Sequence, residues 1–305
     1  MDISKANFSE IFGMELSPTS LEIIEKHNFK YQSVDSSQFE SALIRYVDFL
    51  MSEKKKSGPE YQQIWEKGWQ ENLDEFKKSG DIHDLVPKFV KKSEYVRFQG
   101  SWISPEDPNF ETNFVELLRD VIFRKYFSTA TAIWEIGSGT GLNLVHLSKI
   151  FPEKELVGCD WANASVDIIN ELNKYLGLNI KGHLFDLFSP NIELINSINP
   201  GAGLLTIGTL EQAGENFQPF LDYVLSSPFK TIIHVETNYE LYNKNSIFDK
   251  LAIHYIEKRN WLKGYFAALK ELEKKGTVKV IDERKTFGSF FHDGYTYTVW
   301  EKLNV

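Results

Sequence analysis

Trp134-Glu135-Ile136-Gly137-Ser138-Gly139-Thr140-Gly141-Leu142 is the stretch on which the reading of this chain turns. Ala132–Ile136 is a short apolar run of the kind that forms a buried strand. Three glycines at alternate positions follow it, and Leu142–Ile150 then takes up helical spacing. Glycines between a strand and a helix let the backbone turn sharply and approach a ligand without a Cβ in the way. The dinucleotide fingerprint places its third glycine where Leu142 stands, and a P-loop needs a Gly-Lys-Ser/Thr that is absent. Taken alone, the triplet is weak evidence, since a plain tight turn also uses glycines.

Working outward, short apolar runs alternate with helical stretches. Ala132–Ile136, Leu156–Cys159, Ile180–Phe185, Leu204–Gly208 and Thr231–Val235 read as strands, with helices such as Leu142–Ile150 and Ser165–Leu176 between them. That rhythm predicts a parallel sheet with helices on both faces. Two β-rich runs, Thr277–Lys285 and Tyr295–Lys302, close the chain around a Phe/Gly-rich turn and must be antiparallel neighbours. The fold class expected is therefore α/β: a doubly wound, mostly parallel seven-stranded sheet with a terminal antiparallel β-hairpin and an N-terminal helical extension. Asp160 ends the second of these strands and Asp186 ends the third. Ligands of open α/β sheets bind at that edge, where a carboxylate can accept both hydroxyls of a ribose. Either Asp alone is also an ordinary helix cap.

Upstream the rhythm differs. Ser37 with Glu40 suggests a capping box ahead of Phe39, Leu43, Tyr46, Val47 and Leu50. Gly58-Pro59 starts a second helix with Tyr61, Trp65, Trp69, Leu73 and Phe76 on one face. Residues 80–108 hold three prolines and two glycines and read as irregular, and a third helix carries Phe114, Leu117, Leu118, Val121 and Ile122. The expected division is a helical cap over 1–128 and a ligand-binding domain over 129–305.

The 305 residues are 42% hydrophobic and 25% charged, which describes a globular chain rather than a disordered or disulfide-stapled one. Net charge is −9, against a nucleic-acid binder, which usually carries a basic surplus. The Lys54–Lys56 and Lys91-Lys92 runs read as solvated helix ends. The lone Cys159 excludes an intrachain disulfide and a cysteine-based zinc site, and fits a reducing cytoplasm. The start lacks the apolar core of a signal peptide, and no run approaches 18 apolar residues, so no membrane association is expected.

Glu135-Ile136-Gly137-Ser138-Gly139-Thr140-Gly141 resembles the first motif of the class I S-adenosylmethionine-dependent methyltransferases, a Rossmann-like family. Asp160 matches that family's ribose-binding acid and Asp186 the residue beside the adenine; the terminal hairpin matches its antiparallel last strand. The resemblance covers about 130–302. It implies S-adenosyl-L-methionine as cofactor. Gly137, Ser138, Gly139 and Gly141 would bend around the methionine end. Glu135 would orient the loop or the amino group, Trp161 would pack on the adenine, and Leu187 and Gly208 would complete the cofactor wall.

Such a cofactor is an activated methyl donor, so the protein must align acceptor, methyl carbon and sulfur, and sometimes supply a base. The acceptor side should lie at the ends of the fourth and fifth strands. Glu211 and Gln212 follow the fourth; His234 and Glu236, two apart and so on one strand face, end the fifth. A carboxylate beside His234 would raise its pKa and fix its tautomer. His254 and His292 are read as structural. Trp65, Trp69, Trp102 and Arg97, with the Phe287–Phe291 loop, are candidates to enclose an acceptor, although Trp65 and Trp69 also suit a helical core. No tight acidic cluster remains for a metal, so none is expected. The function expected is methyl transfer to an oxygen or nitrogen of a small molecule or peptide side chain. The alternatives are a macromolecule methyltransferase, using a basic face of Lys91, Lys92, Arg97, Arg119, Arg124 and Lys125, or a non-catalytic cofactor-binding protein.

Overall fold

The computed structural model describes residues 1–53, 57–88 and 94–303. The two lysine runs, 54–56 and 91–92, lie outside the described residues. Five strands alternate with helices from residue 132 onward: β4 (Ala132–Ile136), β5 (Glu155–Asp160), β6 (Ile180–Leu184), β7 (Ala202–Ile207) and β8 (Phe229–Val235), all mutually parallel. The last two, β9 (Val278–Arg284) and β10 (Tyr297–Lys302), are antiparallel. Sheet order is β6-β5-β4-β7-β8-β10-β9, so the final strand inserts between β8 and β9. The two are neighbours, as expected, but residues 285–296 between them form a long loop rather than a tight turn.

Helices α6 (Leu142–Ile150), α7 (Asn163–Leu176), α8 (Gln218–Ser226), α9 (Ile247–Arg259) and α10 (Tyr265–Lys274) make up the rest of this half. Adjacent strand residues point to opposite faces. Ile133, Leu205 and Ile233 enter one core with Leu144; Trp134, Leu204 and Ile232 enter the other with Phe220, Val224, Tyr265 and Phe266. The helical region after 246 breaks at Asn260, which adopts φ +54.

The N-terminal part contains α1 (Lys5–Phe12), α2 (Pro18–Lys26), α3 (Ser36–Met51), α4 (Gln62–Ser79) and α5 (Phe110–Tyr126). The cap of α3 is Asp35 with Gln38, not Ser37 with Glu40: Asp35 accepts from Gln38 N at 2.8 Å, and Gln38 Oε1 accepts from Asp35 N in return. Nor is the part helical throughout. β1 (Tyr31–Ser33), β2 (Val96–Phe98) and β3 (Ser101–Pro105) form a three-stranded antiparallel sheet, of which β2 and β3 fall within the irregular 80–108 segment and β1 in the stretch expected to be helical. Helix α5 packs directly on the main sheet, since Leu117, Leu118 and Val121 share a core with Ile133 and Leu205. Helix α4 lies on α7, with Trp69, Leu73 and Phe76 against Ile168 and Leu172.

Candidate active site

Sheet order reverses between β4 and β7, and the carboxyl ends of the strands open there into a cavity of about 970 Å³. This is the top of the roughly 300–1,000 Å³ range of small-molecule sites. Its floor is the glycine loop. Gly137 and Gly139 have φ of +76 and +50, and the N–H groups of Gly137 and Ser138 donate to Cys159 O at 2.7 and 3.0 Å. Trp69 lies so close over Gly139 that a Cβ there would stand 3.0 Å from its ring. Gly137, Ser138 and Gly139 line the cavity, but Gly141 does not. Its φ of +72 opens α6, and a Cβ would stand 2.9 Å from Leu172 Cδ1, so helix packing requires a glycine there.

Asp160 lines the cavity and braces the loop. Its carboxylate accepts from Gly139 N at 2.8 Å and Ala162 N at 3.0 Å. Burial pushes its pKa up to about 6, against those backbone donors. Trp161, Leu187 and Gly208 also face the cavity, with Trp161 stacked on Phe188 at 6.1 Å. Asp186 departs from expectation. Its carboxylate turns back to accept from Phe188 N at 2.8 Å, and the flanking Phe185 and Leu187 line the cavity instead. Glu135 sits one layer behind the wall. Its Oε1 accepts from Asn143 Nδ2 at 2.5 Å, its Oε2 is buried without a partner, and burial raises its pKa to about 8.

On the acceptor side Glu211 lines the cavity, its pKa raised by burial and then by repulsion from Glu236, with Arg259 opposing. His234 and Glu236 do not line it. The imidazole is fully buried between Thr206 Oγ1 and Tyr265 OH, each 2.9 Å away. Burial lowers its pKa to about 3, opposite to the expected rise, because no ionised carboxylate lies beside it. Glu236 accepts from Thr209 N at 2.9 Å and Leu210 N at 3.1 Å and so holds the turn that presents Glu211. Burial raises its pKa to about 7. His234→Ala is therefore expected to lower stability by about 2–4 kcal/mol, through an unfilled cavity and two orphaned hydroxyls, while ligand affinity stays unchanged. Denaturant unfolding and titration calorimetry on the same variant check both halves.

The aromatic candidates divide. Trp65 and Trp69, their rings 5.5 Å apart and tilted at 32°, line the cavity, as do Phe290 and Phe291. Trp102 and Phe287 are core, and Arg97 is fully buried between Asp249 and Asp293. Of the proposed basic face, Arg97 is thus interior, Arg119 points into the cavity, and Arg124 pairs with Asp120 at 2.7 Å. His254 lies on the surface beside Glu257. His292, read as structural, is on the cavity wall. Asn143 and Tyr295 carry no functional signal in the sequence, and Arg119 is expected on a basic face; the fold gathers the three on the cavity wall from α6, the 285–296 loop and α5. Among the described residues no group of three or more His, Cys, Asp or Glu side chains is placed to hold a metal ion, and no helix is long and apolar enough to cross a membrane.

The strand order, the antiparallel insertion of β10 and a glycine loop at the switch point make this a class I methyltransferase fold. No protein-family model matches the chain, and no curated relative does. Among solved structures it is similar to a SAM-dependent methyltransferase from Aquifex aeolicus, at 18% identity over 58% of this chain and 87% of that one, TM-score 0.39. It is similar to PigF with SAH, at 14% identity over 87% and 69%, TM-score 0.46. The mitomycin 7-O-methyltransferase MmcR gives 14% identity over 78% and 68%, TM-score 0.41. These scores all lie below 0.5, and the fold assignment rests on the topology itself.

Proposed function

We propose that the chain is an S-adenosyl-L-methionine-dependent methyltransferase acting on an oxygen or nitrogen of a small molecule or peptide side chain, in a biosynthetic or modifying role. The observation that carries this is a pair of orphaned polar groups on the cavity wall with a third just behind it. Arg119 Nε, Asn143 Oδ1 and Glu135 Oε2 are all buried without a hydrogen-bond partner, and no carboxylate among the described residues pairs with Arg119. Buried polar groups left open in this way mark a missing partner. A guanidinium and a carboxamide oxygen facing one space suit the carboxylate and ammonium of an amino-acid group. Asp160 then stands for the ribose hydroxyls, and Trp161, Phe185 and Leu187 for the adenine. The bound group supplies an activated methyl. The chain's own work is to hold its two ends, exclude water with Trp69 and the 285–296 loop, and present the acceptor beside the Gly208–Glu211 turn.

Titration calorimetry with S-adenosylhomocysteine tests the reading, and absence of binding at millimolar ligand ends it. A finer outcome follows from Glu135. Burial keeps its carboxyl protonated at pH 7, and an arriving ammonium favours the ionised form. Binding near neutrality should then release a proton. The measured enthalpy should differ between phosphate and Tris by about the difference in their ionisation enthalpies.

A further inference from the structure

His292 stands apart from the other histidines. Its ring lies flat on Tyr255, at 5.3 Å and 17°, and edge-on to Trp261 at 4.7 Å. Thr237 Oγ1 is 2.9 Å from Nδ1, and Nε2 has no hydrogen-bond partner among the described residues. The ring forms part of the same cavity wall as Gly208 and Glu211.

The segment that carries it is pinned on every side. Arg97 and Gly288 exchange backbone hydrogen bonds at 3.0 and 2.9 Å, and Asp293 bonds Arg97 Nε at 3.1 Å and lies 3.3 Å from Lys285. Tyr46 OH donates to Phe291 O at 2.6 Å, Trp102 Nε1 to Phe290 O at 2.9 Å, and Tyr242 OH accepts from Asp293 N at 2.8 Å. A Cβ on Gly288 would meet His292 O at 2.2 Å, so the loop admits no slack there. An imidazole fixed this firmly, with one nitrogen held and the other open to a cavity, is preorganised to move a proton.

The surroundings also speak to the acceptor. The wall is rich in aromatic rings: Tyr255, Trp261 and Phe291 are packed together around His292, and Trp65 and Tyr295 line the same cavity. Glu111 and Glu211 on the wall do not make a cation site. Glu111 accepts from Tyr295 OH at 2.7 Å, and burial raises both Glu111 and Glu211 toward the neutral form. His292 itself is kept neutral by burial and by the guanidinium groups of Arg97 and Arg259.

Resting on the function proposed above, we infer that the acceptor is a planar aromatic compound bearing a hydroxyl, and that His292 Nε2 is the base that takes its proton. In this role Thr237 Oγ1, 2.9 Å from Nδ1, accepts from Nδ1–H and leaves the lone pair on Nε2, and Thr237 is a positioning residue. As Nε2 takes the proton, the oxygen's electron pair forms the bond to the methyl carbon, and the carbon–sulfur pair leaves on sulfur. The products are an aryl methyl ether, S-adenosylhomocysteine and an imidazolium that returns its proton to water.

The test uses 7-hydroxycoumarin, whose phenol and phenolate forms have separate spectra, with the protein saturated in S-adenosylhomocysteine. Saturable binding of the coumarin is expected. His292→Gln should weaken it about tenfold with S-adenosylhomocysteine affinity unchanged, and the surface variant His254→Gln should alter neither. With S-adenosylmethionine present, kcat for methylation of the coumarin should fall at least about a hundredfold in His292→Gln. Thr237→Val should lower kcat with little change in KM. Failure of the wild-type protein to bind the coumarin, with S-adenosylhomocysteine bound normally, overturns the acceptor class. A His292→Gln enzyme with wild-type kcat overturns the base. Failure to bind S-adenosylhomocysteine at all is the separate failure of the function reading.

Discussion

Gly137→Ala is expected to remove measurable S-adenosylhomocysteine binding and to lower the melting temperature by several degrees. Gly137 has φ +76, a conformation that costs a residue with a Cβ about 1–2 kcal/mol. The larger cost is steric. An added Cβ would stand 2.1 Å from Thr209 Oγ1, 2.3 Å from its Cγ2 and 2.7 Å from its Cβ. Thr209 cannot swing aside, because it is β-branched and its N–H is held by Glu236 at 2.9 Å. The glycine loop after β4 and the turn after β7 would have to separate, and together they form the floor of the cavity. Strain and overpacking sum to about 3–5 kcal/mol, which corresponds to well over a hundredfold in affinity if the loop bears the distortion. Gly208→Ala is the matched comparison. Its φ is +60, yet nothing lies within 4 Å of an added Cβ, so only the conformational cost remains. Thermal unfolding and calorimetry on the pair separate backbone strain from collision, and equal effects in the two variants would contradict the account.

Much of the sheet was legible because its signals are local. Ala132–Ile136 and Leu142–Ile150 have the bounds expected of them, since a buried strand and an amphipathic helix announce themselves by apolar spacing. The small β1-β3-β2 sheet leaves no such signal in the sequence. Its strands are three to five residues long, below the length at which alternation stands out. The one usable sign was Gln99-Gly100, a two-residue turn with φ of +49 and +78 between Phe98 and Ser101.

The site divides in the same way. The glycine loop and Asp160 act through their own backbone neighbourhood, and sequence position located them. Asp186 and His234 were placed correctly along the chain, but which way a side chain turns depends on what packs behind it. Phe188 N claims the first, and Tyr265 from α10 the second. Arg119, Asn143 and His292 are far apart in sequence, and nothing local distinguishes a guanidinium that faces a cavity from one that faces solvent.

That distinction bears on Arg119→Leu, for which two opposite effects are expected. In the free protein a guanidinium whose Nε is buried without a partner is a cost, and burial lowers its pKa accordingly. Replacing it with an apolar side chain of similar reach should leave stability unchanged or raise it slightly. On the binding mode proposed above the sign reverses with ligand bound, because the guanidinium would then pair with the ligand's carboxylate away from bulk water. Losing one partner of such a pair costs about 2–5 kcal/mol, or roughly 30-fold to several thousandfold in affinity. The loss should appear only for a ligand that carries the amino-acid group. S-adenosylhomocysteine should bind far more weakly to Arg119→Leu, whereas 5′-methylthioadenosine, which keeps the adenine, ribose and sulfur but lacks the carboxylate, should bind within about threefold of wild type. A variant that unfolds at lower denaturant, or that loses both nucleosides equally, would assign Arg119 to the architecture of α5 and leave the carboxylate to another donor.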